Sequence, residues 1–158
     1  MERYGPKGAL FSACKRYRFL LWRQWDEDLP KVLFIGLNPS VADDRSDDPT
    51  TKRIMGLSKQ LGFGGCFLMN CFPHIATDPK NLEASVSKIE DPDLLPSILA
   101  VCETTVFAWG NHPMVRQQGK DRWFFERIPD AKVLGFTKKG NPRHPLYVPY
   151  NTELKSYR

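Results

Sequence analysis

The chain has 158 residues, 41% of them hydrophobic and 26% charged, a composition that suits one domain, spanning residues 1–158, with a respectable core. No apolar run approaches the length of a membrane span, and the first residues hold no uninterrupted apolar stretch of signal-peptide type, so a cytoplasmic protein is expected. The net charge of +5, from 23 Lys and Arg against 18 Asp and Glu, mildly favours an acidic partner such as nucleic acid or a nucleotide.

In chain order, "YRFLLWRQW" (17–25) reads as an extra strand, antiparallel on a sheet edge. "VLFIG" (32–36) is a continuous apolar run, the pattern of a strand buried on both faces. It breaks into Asn38-Pro39-Ser40, and four aspartates follow at Asp43, Asp44, Asp47 and Asp48. Asp48 is placed to cap a helix with Pro49 at its first position, which puts Ile54, Leu57 and Leu61 on one face. "CFLMN" (66–70) is the next strand, and a short helix is expected from Asp78-Pro79. Asp91-Pro92 signals another helix through "DLLPSILAVCE". "TVFAW" (105–109) is a third buried strand, after which Asn111 or His112 before Pro113 opens a helix towards Trp123, Phe124 and Ile128, with Gly119 a possible interruption. "KVLGF" (132–136) is the fourth, leading into "TKKGNPRHPLY" (137–147). Strands alternating with helices predict an α/β class with a mainly parallel sheet and right-handed crossovers.

Four cysteines lack CxxC or zinc-type spacing and are expected as buried thiols. "DDRSDD" lacks the calcium-loop spacing, and there is no HExxH, GxGxxG or GxxxxGK[ST] element, so metal and nucleoside-triphosphate readings have little support and no cofactor is expected. The chemistry is instead expected at the carboxyl ends of the strands, where ligands bind in open parallel sheets. Asn38 and Ser40 follow the first strand, Asn70 and Phe72 the second, Trp109 and Asn111 the third, and Lys138, Lys139, Arg143, His144 and Tyr147 the fourth. Each has a structural alternative: Asn38 as an Asx-turn, Trp109 as core, and His74 and His112 as turn residues beside proline. His144, in a basic loop with no core face, is the histidine that favours function.

These strand-end elements, in this order, resemble the uracil-DNA glycosylase superfamily. "GLNPS" is similar to the first motif of its mismatch-specific branch, close to GINPG; "FLMN" to the strand whose terminal asparagine reads the base; "TVFAWGNHPMVRQQG" to its strand-then-helix segment; and "GNPRHPLY" to its His-Pro-Ser loop. More closely, "LNPSVAD…DDPT…ATDP…AWG…PRHPLYV" resembles a bacterial and phage domain-of-unknown-function family, family 1643. The superfamily resemblance implies a three-layer α/β/α fold around a four-stranded, mainly parallel sheet, plus the N-terminal edge strand. It implies a nucleobase glycosylase-like hydrolase acting on a base in DNA, RNA or a nucleoside. In that reading Asn38 holds the attacking water, Asn70 hydrogen-bonds the edge of the base and His144 donates to the departing base. Ser40, Phe72, Trp109 and Asn111 complete the base site. Lys138, Lys139 and Arg143 grip phosphates, Leu146 or Tyr147 wedges into the stack, and Asp43 or Asp44 is available as a carboxylate. The last motif reads His-Pro-Leu and the first loop is acidic, which turns attention to a single strand, RNA or a free nucleoside. The alternatives are a non-catalytic nucleic-acid or nucleotide-binding module, and a metal-assisted hydrolase using the Asp43–Asp48 loop. No protein partner is inferable.

Overall fold

The computed structural model describes residues 4–76 and 93–158. Within them, β1 (Lys7–Phe11), β2 (Arg18–Gln24), β3 (Lys31–Gly36), β4 (Gly65–Asn70), β5 (Thr104–Phe107), β6 (Lys132–Val133) and β7 (Lys155–Ser156) form one seven-stranded sheet. The helices are α1 (Pro49–Gln60), α2 (Leu94–Val101), α3 (Pro113–Gln117) and α4 (Lys120–Arg127), with a single 3₁₀ turn at Pro145–Tyr147. The expected starts at Asp78-Pro79 and Asp91-Pro92 lie outside the described residues.

The strand order is β1-β2-β4-β3-β5-β6-β7. Three pairings are parallel (β3–β4, β3–β5, β5–β6) and three antiparallel (β1–β2, β2–β4, β6–β7). This corrects the expectation of a four-stranded, mainly parallel sheet in a uracil-DNA glycosylase-like three-layer fold with an N-terminal edge strand: the sheet is mixed, and β2 is internal. The reason lies in β2 itself. Nearly every side chain of Arg18–Gln24 is buried, because β1 covers one edge and β4 the other. β1 carries little apolar signal; its Gly8 leaves room for the indole of Trp22, where a Cβ would come within 2.2 Å of the ring. Of the run expected as a strand over 132–136 only Lys132–Val133 pairs as β6, and β7, two residues long, is too short for any periodicity.

β3 is central and its alternate side chains enter two cores. Leu33 and Ile35 join Phe67, Phe107, Leu95 and Ile98 of α2, and Phe124 of α4. Val32 and Phe34 join Leu68, Val106, and Ile54 and Leu57 of α1. All four of these β3 side chains are fully shielded from water, each contributing about 1.5–3 kcal/mol by burial.

α1 forms as its sequence directs. Asp48 Oδ1 accepts from the Thr51 N–H at 2.8 Å, Pro49 opens the first turn, and Gly62, at φ +88°, provides the left-handed residue just past the end. The pattern after β5 divides in two because Gly119, also left-handed at φ +67°, separates α3 from α4. Cys66 and Cys71 are buried, Cys102 is half-buried and Cys14 exposed, all as free thiols; burial pushes the Cys66 thiol up to about 12.

Candidate functional site

Because β3, β4 and β5 are mutually parallel, the residues that follow them emerge on one rim. Loop Leu37–Asp48, Asn70, Ala108 and the turn carrying His144 enclose a cavity of about 440 Å3 there. Of the residues singled out from the sequence, Asn38, Ser40, Asn70, His144, Leu146 and Tyr147 line it. Arg18, Gly36 and Asp48 line it too.

The Asn38 amide nitrogen donates to the carbonyls of Pro39 (3.1 Å) and Ala76 (2.7 Å). Both amide protons are thereby used on backbone, which fixes the side chain and leaves Oδ1 as an acceptor for the cavity. Asn70 closes β4 opposite Gly36 of β3. Its Oδ1 lies so close over Gly36 that a Cβ there would sit 2.7 Å from it. Among the described residues the Asn70 amide has no hydrogen-bond partner, so its acceptor and two donors remain for a ligand.

His144 precedes the 3₁₀ turn, and its Nδ1 accepts from the Leu146 N–H at 3.2 Å. That bond assigns the tautomer: Nδ1 is unprotonated and Nε2 carries the hydrogen. Burial pushes the His144 pKa below its ordinary value of 6.5, with the Asp48 carboxylate a smaller opposing influence, so the ring is neutral at pH 7. Tyr147 stands beside it, ring centroids 5.6 Å apart, and is 76% exposed at the cavity mouth.

The acidic loop is organised from below by buried Arg23. Its Nε donates to Asp47 Oδ1 at 2.8 Å, and its terminal nitrogens donate to the carbonyls of Gly8, Trp22, Asp43 and Ser46. Asp43 turns its carboxylate onto the N–H groups of Arg45 (2.9 Å) and Ser46 (2.7 Å), and these two bonds hold its pKa below the usual value. Asp44 is exposed. Neither Asp43 nor Asp44 is among the cavity's lining residues; Asp48, 5% exposed at the head of α1, is the carboxylate there. Among the described residues no three His, Cys, Asp or Glu side chains come together as a metal-binding group.

Other residues from the sequence lie elsewhere. Phe72 and Trp109 are fully buried in the core on the α2–α4 side, Trp109 stacking on Phe107 at 4.6 Å. Asn111 Oδ1 accepts from Thr137 Oγ1 (2.7 Å) and Asn141 Nδ2 (2.9 Å), tying down the turn that leads to His144. Asn111 and Lys139 border a separate hollow of about 360 Å3. Lys138, Lys139 and Arg143 are exposed, and none of them lines the main cavity.

Two contributors were not legible as site residues, Gly36, which reads as a strand end, and Arg18, one residue of an edge strand; Asp48 reads as a helix cap and as part of the acidic loop of the metal-assisted alternative. Arg18 carried a signal, since a charged residue opening a continuously apolar strand has no solvent face to occupy. It is 2% exposed, and its Nη1 donates to the Ala42 carbonyl at 3.0 Å.

A family model described as "Protein of unknown function (DUF1643)" matches residues 18–146, an interval that runs from Arg18 to Leu146 and takes in the whole cavity apart from Tyr147. No curated protein and no solved structure matches the chain.

Proposed function

The chain belongs to the DUF1643 family, and from its site we propose a nucleobase-recognising hydrolase that cleaves an N-glycosidic bond. The observation that carries the reading is the convergence, in one cavity of base-plus-sugar size, of a tethered amide oxygen (Asn38), an unengaged amide (Asn70) and a neutral imidazole with its hydrogen on Nε2 (His144). The motifs resembling those of uracil-DNA glycosylases contribute the same three residues.

The chemistry asks for little more. As the C–N bond lengthens, its electron pair passes to the base and positive charge builds on the sugar; water adds at the anomeric carbon and its proton ends on the base. Asn70, with both donor and acceptor, suits the edge of a base. His144 donates from Nε2 to the base atom that gains negative charge, a hydrogen bond that strengthens as that charge develops. Asn38 Oδ1 accepts from the attacking water and orients it, although an amide cannot take its proton. The Asp48 carboxylate lies in the same cavity, where negative charge favours the oxocarbenium-like sugar.

Incubating the protein with modified and unmodified single-stranded DNA, duplex DNA, RNA and free nucleosides, with mass spectrometry of the released base, tests this directly. Base release is expected from one class. His144→Ala should reduce it by about 100-fold or more while leaving the thermal midpoint within a few degrees. No release from any substrate would refute the hydrolase reading.

A further inference from the structure

A second cavity, of about 400 Å3, adjoins the first, and the two share the side chains of Arg18 and Asn70. Arg18 is thus a wall between two hollows and is itself 98% buried by its 2% exposure. Its guanidinium makes one side-chain hydrogen bond among the described residues, Nη1 to the Ala42 carbonyl. Its Nε is buried without any hydrogen-bond partner, and among the described residues Arg18 takes part in no ion pair. A guanidinium has five N–H donors, and burying its charge without an ion pair costs several kcal/mol.

Arg23 shows what this chain does with an arginine that is purely structural: it is equally buried, yet it reaches a carboxylate and four carbonyls. Asp48 is the acidic group nearest in effect to Arg18, but it does not close an ion pair with it. The Asp48 carboxylate already serves the N-terminus of α1, whose dipole offsets its charge. Among the described residues Arg18 thus stands buried without an ion pair and with an unpartnered Nε, whereas buried Lys31, also without one, directs its ammonium to the carbonyls of Asp26 and Leu29.

We propose that Arg18 receives the phosphate of the ligand, and that the site takes a free nucleoside monophosphate rather than a nucleic-acid strand. This rests on the base-recognition reading above and names its substrate class. One buried guanidinium with unused donors matches one phosphate group held in a pocket. A strand would instead need a basic track leading to the opening, yet the loop bordering the cavity carries Asp43, Asp44 and Asp47, and Lys138, Lys139 and Arg143 do not line it.

The test is calorimetric titration of the full chain with the four common ribonucleosides and deoxyribonucleosides, their 5′-monophosphates, and short oligonucleotides. For the preferred base, the monophosphate should bind about tenfold or more tightly than the nucleoside, as a charge-assisted contact provides. Arg18→Gln should bring that ratio to about one, and Arg18→Lys should restore part of it, a selectivity between nucleoside and monophosphate that a merely structural arginine would not control. On the unaltered protein, inorganic phosphate should weaken monophosphate binding and leave nucleoside binding unaffected, a readout that stands even where a variant fails to fold. Equal affinity for nucleoside and monophosphate, preference for oligonucleotides, indifference to phosphate, or no binding of any of these would overturn the assignment. Monophosphate binding without base release would retain it and sink the hydrolase reading alone.

Discussion

Gly36 and Asn70 face each other across β3 and β4, and the pair sets where the one unengaged amide in the cavity points. Giving residue 36 a Cβ places a carbon 2.7 Å from Asn70 Oδ1, the end of a side chain that can swing aside rather than a piece of backbone. Gly36→Ala should therefore cost more in ligand binding than in stability. In a double-mutant cycle the binding loss should be absent when Asn70 is already alanine, since the displaced group is gone. An equal loss in both backgrounds would mean that Gly36 acts through something other than Asn70.

His144 gives the residue scale a pH signature. Its folded-state pKa lies below the ordinary 6.5, so the unfolded chain takes up the proton more readily. Its contribution to stability is complete above about pH 6.5 and declines as pH falls from there through the folded-state value. Protonation also puts a hydrogen on Nδ1, which can then no longer accept from Leu146 N–H. Urea unfolding at a series of pH values should show the stability gap between the native protein and His144→Gln narrowing towards pH 5. A gap constant from pH 8 to pH 5 would show that burial does not act on this imidazole.

At the scale of elements, the loop between β3 and α1 is held by a strand that precedes both. Arg23 of β2 reaches under it to Asp47 and to the carbonyls of Asp43 and Ser46, so the aspartates that crowd the loop have distinct structural tasks. Asp43 closes a turn, Asp47 pairs with Arg23 and Asp48 caps α1. Removing the arginine strands the buried carbonyls of Gly8 and Trp22 and the half-buried contacts to the loop at once, and Arg23→Met should cost roughly 3 kcal/mol in equilibrium unfolding. The Asp47 side chain is 28% exposed, and Asp47→Asn should cost less than about 1 kcal/mol because solvent screens that end of the pair. Comparable losses for the two would place the loop's stability in the ion pair rather than in the carbonyl contacts.

At the scale of the whole molecule, the sheet brings residues from both ends of the chain to one cavity. Arg18 arrives on β2 because β2 pairs antiparallel with β4, and Asn70 stands at the end of that same β4. At the other side of the sheet, β7 returns against β6, and Tyr157 packs edge-on against Phe107 at 5.0 Å, beneath the strand that leads to Gly110 and the His144 turn.

What the sequence determined by itself is local: the run "VLFIG" as a buried strand, Asp48-Pro49 as the start of α1, Asn111 or His112 before Pro113 as the start of α3, Gly119 as a possible interruption, and Asn38, Asn70 and His144 as polar groups following strands. Those signals lie within a few consecutive residues, where backbone sterics, capping and periodicity act. The tertiary structure decided the rest: a mixed seven-stranded sheet in place of a four-stranded, mainly parallel one, β2 inside it, Phe72 and Trp109 in the core, and the aspartates divided between turn, ion pair and cap. It also set Arg18 against a cavity whose other walls come from as far away as Tyr147. Strand partners and buried charges are settled by long-range pairing and by which groups find a counter-charge, and neither leaves a periodic trace in the chain.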